Sequence, residues 1–255
     1  MVNSLKALPL LAAFLLPCGP AAAQQAVDLE LVLAVDASSS VAIWEFDLQM
    51  KGIAAAFRDP EVHGALRASG DDGVAISLVQ WSGRDRQELV IDWALLRGAE
   101  DAEAFADKVD MTERVVPNGS TAIGNALEFS AKQLADSGYE GRRQVIDVSG
   151  DGRNNQGIHV MQVRDALVER GITINGLAIL NEDLGVDHFY LNHVIGGTGA
   201  FLITATDFAD FARAIRQKLI REISGPAISQ APQTAPGSAP DSSPGQLAEG
   251  AVWID

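Results

Sequence analysis

The stretch Leu29-Glu-Leu-Val-Leu-Ala-Val-Asp36-Ala37-Ser38-Ser39-Ser40 decides the fold. Seven residues of mostly branched apolar character, with Glu30 the one polar member, run into a carboxylate and two hydroxyls, and Val41 to Phe57 follows at helical spacing. An apolar run without alternation marks a strand covered on both faces, which implies a parallel sheet with helices on each side. In such sheets ligands bind outside the carboxyl ends of the strands. Asp36, Ser38 and Ser40 alternate with Ala37 and Ser39, so a loop leaving the strand can turn all three toward one point. Hard oxygen donors without Cys or His suit Mg²⁺, Mn²⁺ or Ca²⁺ rather than zinc.

Outward from this strand the chain alternates. Ile43, Phe46, Met50, Ile53 and Phe57 are spaced three and four apart and predict one apolar stripe on a helix, which Asp59-Pro60 ends. Gly64 to Asp72 reads as loop, Val74 to Trp81 as a second strand and Glu88 to Trp93 as a third. The polar turn Ser82 to Arg86 is short enough for a hairpin, making the third strand an antiparallel edge. Further strands are expected at Arg143–Ser149, Ile172–Leu180 and Phe201–Thr204. Helices are expected at Ala99–Val109, Ala122–Asp136, Gly157–Arg170, His188–Ile195 and Asp207–Ile223. The pattern predicts an α/β fold: a doubly wound, mostly parallel six-stranded sheet with one antiparallel edge strand and helices on both faces.

Two more stretches stand at element ends. Gly119-Ser120-Thr121 opens a helix after a turn-rich loop, and Ser149-Gly150-Asp151-Gly152 closes a strand. Asp36-Ala37-Ser38-Ser39-Ser40 resembles the Asp-x-Ser-x-Ser motif of von Willebrand factor type A domains, the first part of their metal-ion-dependent adhesion site (MIDAS). Gly119-Ser120-Thr121 resembles that family's Gly-Gly-Thr, with Ser120 departing from the second glycine. Ser149-Gly150-Asp151-Gly152 resembles its Thr-Asp-Gly, with Gly150 replacing the threonine. The three motifs come in the family's order, and the resemblance covers about Val27 to Ile223. More narrowly, the Val-Ser-Gly-Asp-Gly run, the Val194-Ile195-Gly196-Gly197 loop and the Pro-rich tail resemble the exported bacterial group catalogued as domain of unknown function 1194. The resemblance implies a divalent cation at Asp36, Ser38, Ser40, Thr121 and Asp151, with an acidic residue of a protein partner filling the remaining position.

The residue chemistry leads the same way. Two carboxylates and three hydroxyls offer five oxygens, one short of the octahedron Mg²⁺ prefers, so Mg²⁺ or Mn²⁺ is expected ahead of Ca²⁺. Taken singly, the two acids could cap helices and the hydroxyls could be ordinary loop and N-cap groups. Asp147 interrupts an apolar strand on the same face as Asp151, and a lone carboxylate there must be paired or hydrogen-bonded, either as a buried structural pair or as support for the site. Ser39 and Asn154 are the other polar side chains near the three motifs.

These readings lead to an adhesion-type binding module that is not an enzyme. The alternative is a metal-assisted hydrolase or phosphoryl-transfer enzyme using the same acidic pocket. It would need a nucleophile or general base, and neither Ser39 nor Asn154 has an evident base partner. A third class is a domain whose metal only stabilises the fold.

Composition sets the context. Residues 1–23 carry Lys6, an apolar stretch from Leu8 to Leu16 and Ala21-Ala22-Ala23, the pattern of a secretory signal, so an exported protein, periplasmic or extracellular, is expected. Cys18, the one cysteine, lies inside that segment, with Pro17 where a lipidation signal wants a small residue. No stretch reaches the ~20 apolar residues of a membrane span. Loss of Lys6 with the signal takes the formal net charge from −15 to −16, which disfavours nucleic acid. Residues 27–224 are read as the domain, expected to be monomeric. Residues 225–255 are read as a disordered Pro/Ser/Ala-rich tail, closing on Ala251-Val252-Trp253-Ile254-Asp255, an apolar patch with an acid that is either a docking peptide or a sticky end.

Overall fold

The structure, a computed structural model, describes residues 24–225. The expected signal segment, Cys18 and the tail with Trp253 lie outside the described residues. Strands β1 (Gln25–Val27), β2 (Leu29–Asp36), β3 (Val74–Trp81), β4 (Gln87–Leu96), β5 (Tyr139–Gly141), β6 (Gln144–Gly150), β7 (Thr173–Ile179) and β8 (Leu202–Ala205) alternate with helices α1 (Ile43–Phe57), α2 (Pro60–Ala68), α3 (Ala99–Asp110), α4 (Ile123–Ala135), α5 (Val160–Glu169), α6 (Val186–Phe189) and α7 (Phe211–Ser224). Six strands form one sheet in the order β4-β3-β2-β6-β7-β8, in which only the β3–β4 pair is antiparallel.

Strand β2 sits in the middle of this sheet, and all eight of its residues are buried. Leu29, Leu31, Leu33 and Val35 pack into the layer of α1, α2, α3 and α7, while Val32 and Ala34 pack into that of α4, α5 and α6. The unalternating apolar run thus reflects two hydrophobic faces covered at once. Because β2, β6 and β7 run parallel, their carboxyl ends share one edge, and the pairing of Val35 with Ser149 sets Asp36 beside Gly150. Among the described residues no helix is long and apolar enough to cross a membrane.

Three features depart from the sequence reading. Asp59-Pro60 does not only end a helix: it starts α2, with the Asp59 carboxylate accepting from the Glu61 N–H at 2.8 Å and Pro60 in the first turn. A missing N–H costs nothing in the first turn, and burial of Val62 and Leu66 carries the helix through Gly64. Ile43 does not join the buried stripe of Phe46, Met50, Ile53 and Phe57, since it is 73% exposed at the start of α1. Finally, β1 and β5 form a second, two-stranded sheet. Buried Glu30 anchors it by accepting from the Gly141 N–H (2.6 Å) and the Ser137 hydroxyl (2.8 Å).

Asp147 is tied to α7 rather than to the motif loops. The Lys218 ammonium, fully buried, lies 2.9 Å from Asp147 Oδ1 and 2.5 Å from Glu222 Oε1, and Asn175 donates to Glu222 Oε1 at 2.9 Å. Two carboxylates share one cation in a dry interior, so burial and the Glu222 charge push the Asp147 carboxyl up to about 8 despite Lys218. Removing one partner of such a cluster strands a buried charge. Lys218→Met should therefore cost roughly 3–5 kcal/mol of stability, measured by urea unfolding, far more than a surface Lys→Met change.

Candidate metal centre

Asp36 ends β2 and is fully buried. Its Oδ1 accepts from the Ser38 N–H at 2.7 Å, an Asx-type turn that folds the loop back so that Ser38 and Ser40 come together. Their hydroxyls lie 3.1 Å apart, and the Ser40 hydroxyl donates to Asp151 Oδ1 at 2.7 Å. Thr121 is brought in from the other side. Its N–H donates to Asn155 Oδ1 (2.9 Å), the Asn155 N–H donates to its carbonyl (2.9 Å), and a Cβ placed on Gly152 would lie 3.5 Å from its hydroxyl. The loop before Thr121 is clamped to the first motif, because both the N–H and the hydroxyl of Ser39 donate to the Gly119 carbonyl, at 2.8 and 3.0 Å. Asn154 accepts from the Gly124 N–H at 3.3 Å and caps the start of α4. Ser39 and Asn154 therefore join loops, while Asp36, Ser38, Ser40 and Asp151 are linked through their own side chains and Thr121 lies against Gly152 next to them.

The electrostatics of this centre are unbalanced. Asp36 Oδ2 and Asp151 Oδ2 are buried without a hydrogen-bond partner. Burial first, and then the facing Asp151 charge, push the Asp36 carboxyl up to about 8, against the Ser38 N–H and Arg114. Asp151 is raised as well, first by burial, with Glu182 and Glu45 adding to the Ser40-opposed shift. Desolvated carboxylates with unused lone pairs and too little positive charge are what a divalent cation relieves. Among the described residues no three His, Cys, Asp or Glu are gathered around one point, so a cation held here by Asp36 and Asp151 would need neutral oxygens as well.

Four supporting residues carried no signal in the sequence. Arg114, from the loop after α3, donates to the carbonyls of Val41 (2.8 Å), Ser38 (3.0 Å) and Ala37, pinning the first motif without touching its carboxylate. Gln49 donates to the Asp36 carbonyl at 3.2 Å. Glu45 accepts from the Ala42 N–H (2.7 Å) and from Asn181 (3.2 Å), joining α1 to the loop after β7. Tyr190 is fully buried, and its hydroxyl lacks a partner. A Cβ on Gly150 would lie 2.7 Å from both that hydroxyl and Asp36 Oδ2. Gly150 thus replaces the motif's threonine because Tyr190, arriving from the segment after α6, occupies the space of a side chain.

This sheet, with its single antiparallel edge and helices on both faces, has a von Willebrand factor type A-like fold. Solved structures of that class share the fold. Proximal thread matrix protein 1 from the mussel byssus matches with a TM-score of 0.57 at 17% identity over 78% of this chain and 46% of that one. The same mussel protein with a zinc-occupied MIDAS motif matches with a TM-score of 0.52 at 19% identity, over 78% and 46%. A von Willebrand factor type A protein from Catenulispora acidiphila matches with 0.53 at 18% identity, over 77% and 43%. The manganese-loaded TRAP protein of Plasmodium vivax matches with 0.50 at 16% identity, over 77% and 73%. The chain spans less than half the length of the mussel and Catenulispora chains. It belongs to the family described as Protein of unknown function (DUF1194), whose model matches residues 26–227. No curated protein matches it.

Two outcomes test this geometry. Gly150→Ala should cost about 1–3 kcal/mol in urea unfolding, because the new methyl meets two oxygens, and adding Tyr190→Phe should recover part of that loss. A carboxyl raised in the fold holds its proton more tightly there than in the unfolded chain, where its value is about 3.9. Its contribution to stability is complete below about pH 4 and is lost as the pH climbs to about 8. In chelator, the unfolding free energy of the wild type should therefore fall from pH 5 to pH 8 more steeply than that of Asp36→Asn.

Proposed function

We propose that the protein is an exported, metal-dependent binding module in which Asp36, Ser38, Ser40, Thr121 and Asp151 hold a divalent cation that binds an acidic residue of a protein partner. The observation that carries this reading is the pair of buried, unpartnered oxygens, Asp36 Oδ2 and Asp151 Oδ2, beside the linked hydroxyls of Ser38 and Ser40. A hard, all-oxygen set favours Mg²⁺ or Mn²⁺ over Ca²⁺. When bound, the cation supplies the positive charge the two carboxylates lack and an electrophilic point for a sixth ligand. The chain's own residues do the rest. Arg114 and Ser39 hold the loops in place, and Tyr190 with Gly150 shapes the floor behind Asp36.

The mussel and Plasmodium proteins carry zinc and manganese respectively, which supports a divalent cation in this fold. The vWF domain of a type V pili tip protein from Porphyromonas gingivalis shares the fold too (TM-score 0.53, 13% identity, 76% of this chain and 95% of that one), and its place in a pilus agrees with a module that works outside the cytoplasm. The signal-like residues 1–23 agree with export, followed by a monomeric domain over 27–224 and the tail 225–255. A binding role is favoured over hydrolysis by what surrounds the centre. The Ser39 hydroxyl is spent on the Gly119 carbonyl, Asn154 on α4, and Glu45 on Ala42 and Asn181. None of them is left to act as nucleophile or base.

Thermal unfolding with and without Mg²⁺ or Mn²⁺ tests the reading. At ~100 times its dissociation constant the metal should add roughly 2.7 kcal/mol, and Asp151→Ala should abolish that gain. Equal melting temperatures in metal and in chelator, with no heat of binding in calorimetry, would overturn it. Metal-dependent turnover of phosphate or ester substrates lost in Asp151→Ala would install the hydrolase reading instead.

A further inference from the structure

Around the proposed metal centre, beside the acids Glu45, Glu182 and Asp183, three large apolar side chains are left exposed among the described residues. Ile43, Trp44 and Leu184 are 73%, 61% and 79% exposed. Ile43 and Trp44 open α1 directly after the Ser38–Ser40 loop, and Leu184 lies in the loop after β7. The two segments are joined by the Glu45–Asn181 hydrogen bond at 3.2 Å. The second is also fastened beside Asp151 by the Arg153–Asp183 ion pair at 2.6 Å. A ligand that fills the sixth position and covers these three must carry a carboxylate next to large apolar side chains. Burial of such side chains is worth ~25 cal/mol per Å².

The chain itself contains such a segment. Val252-Trp253-Ile254-Asp255 sets an acid directly after three apolar residues, and residues 226–255 hold no Lys, Arg or His that would pair with it. The last described residue is Gly225, where a Cβ would lie 3.2 Å from the Arg143 guanidinium at the foot of β6. That is the edge of the sheet opposite the metal centre. Residues 226–250 lie between, and at ~3.3 Å per residue they reach up to ~80 Å. A domain of about 200 residues has a radius of gyration of only ~16 Å. A segment carried on the same chain acts at an effective concentration set by the length that joins it, which offsets the repulsion between an acid and an acidic surface.

We propose that Ala251–Asp255 is the resting ligand of this chain's own centre, with the Asp255 side chain on the metal and Trp253 and Ile254 against Ile43, Trp44 and Leu184. The inference rests on the metal reading above. It gives the tail a regulatory part, because an external acidic ligand must then displace a tethered competitor.

The test uses the full chain loaded with Mn²⁺, following paramagnetic broadening of the Val252, Trp253 and Ile254 resonances by NMR. Strong broadening is expected, unchanged by tenfold dilution, removed by chelator and by Asp255→Asn, and reduced several-fold by Trp44→Ser. If those signals stay sharp while Thr121 and Gly150 broaden, the tail assignment is overturned and the metal centre stands. If neither set broadens, or if Ser40→Ala and Asp36→Ala leave the broadening intact, the metal reading falls and the tail assignment with it. Broadening that fades on dilution assigns the segment to a second copy and overturns the intramolecular form.

Discussion

Two carboxylates held out of water, near enough for the charge of Asp151 to raise the Asp36 carboxyl, are the constraint on which the rest of the site depends. Asp36 ends β2 and Asp151 follows directly after β6, so the register of β2 against β6, which sets Asp36 beside Gly150, brings the two acids to the same edge. Each has one oxygen bonded and one oxygen idle. Arg114 approaches but spends its hydrogen bonds on loop carbonyls, so it stiffens the loop more than it neutralises the acids. The fold's core, built on fully covered strands, supplies the stability that tolerates this charge imbalance.

The contrast with Asp147 is instructive. It lies on the same strand, four residues before Asp151, and is equally buried, yet α7 supplies it with Lys218. One acid is answered by an internal cation and belongs to the structure. The other is left unanswered beside hydroxyls and belongs to the site. The presence of a dedicated countercharge, rather than burial or pKa, separates the two.

The surface around the centre adds selectivity to charge. In the proposed centre a cation with one free position would accept any carboxylate, whereas the exposed Ile43, Trp44 and Leu184 would favour one that arrives with apolar neighbours. Arg84 and Arg86, in the β3–β4 turn next to Ser120, face the same end of the molecule and soften the acidic surroundings on that flank.

Much of this was determined by the sequence alone. The apolar run ending in Asp36, the glycine-bounded Thr121 and the Asp151 turn are local patterns whose meaning depends only on period and spacing. The parallel sheet, its antiparallel edge and the family followed from them. What the sequence could not carry were features depending on residues far apart in the chain: Lys218 against Asp147, Arg114 against the Ser38 loop, Tyr190 filling the space beside Gly150, and Glu30 holding a second small sheet. The first turn of α1 shows the limit most clearly. Ile43 continues the apolar stripe by spacing, yet the helix starts where the sheet edge has ended, so only the tertiary structure decides that it faces solvent beside the metal centre rather than the core.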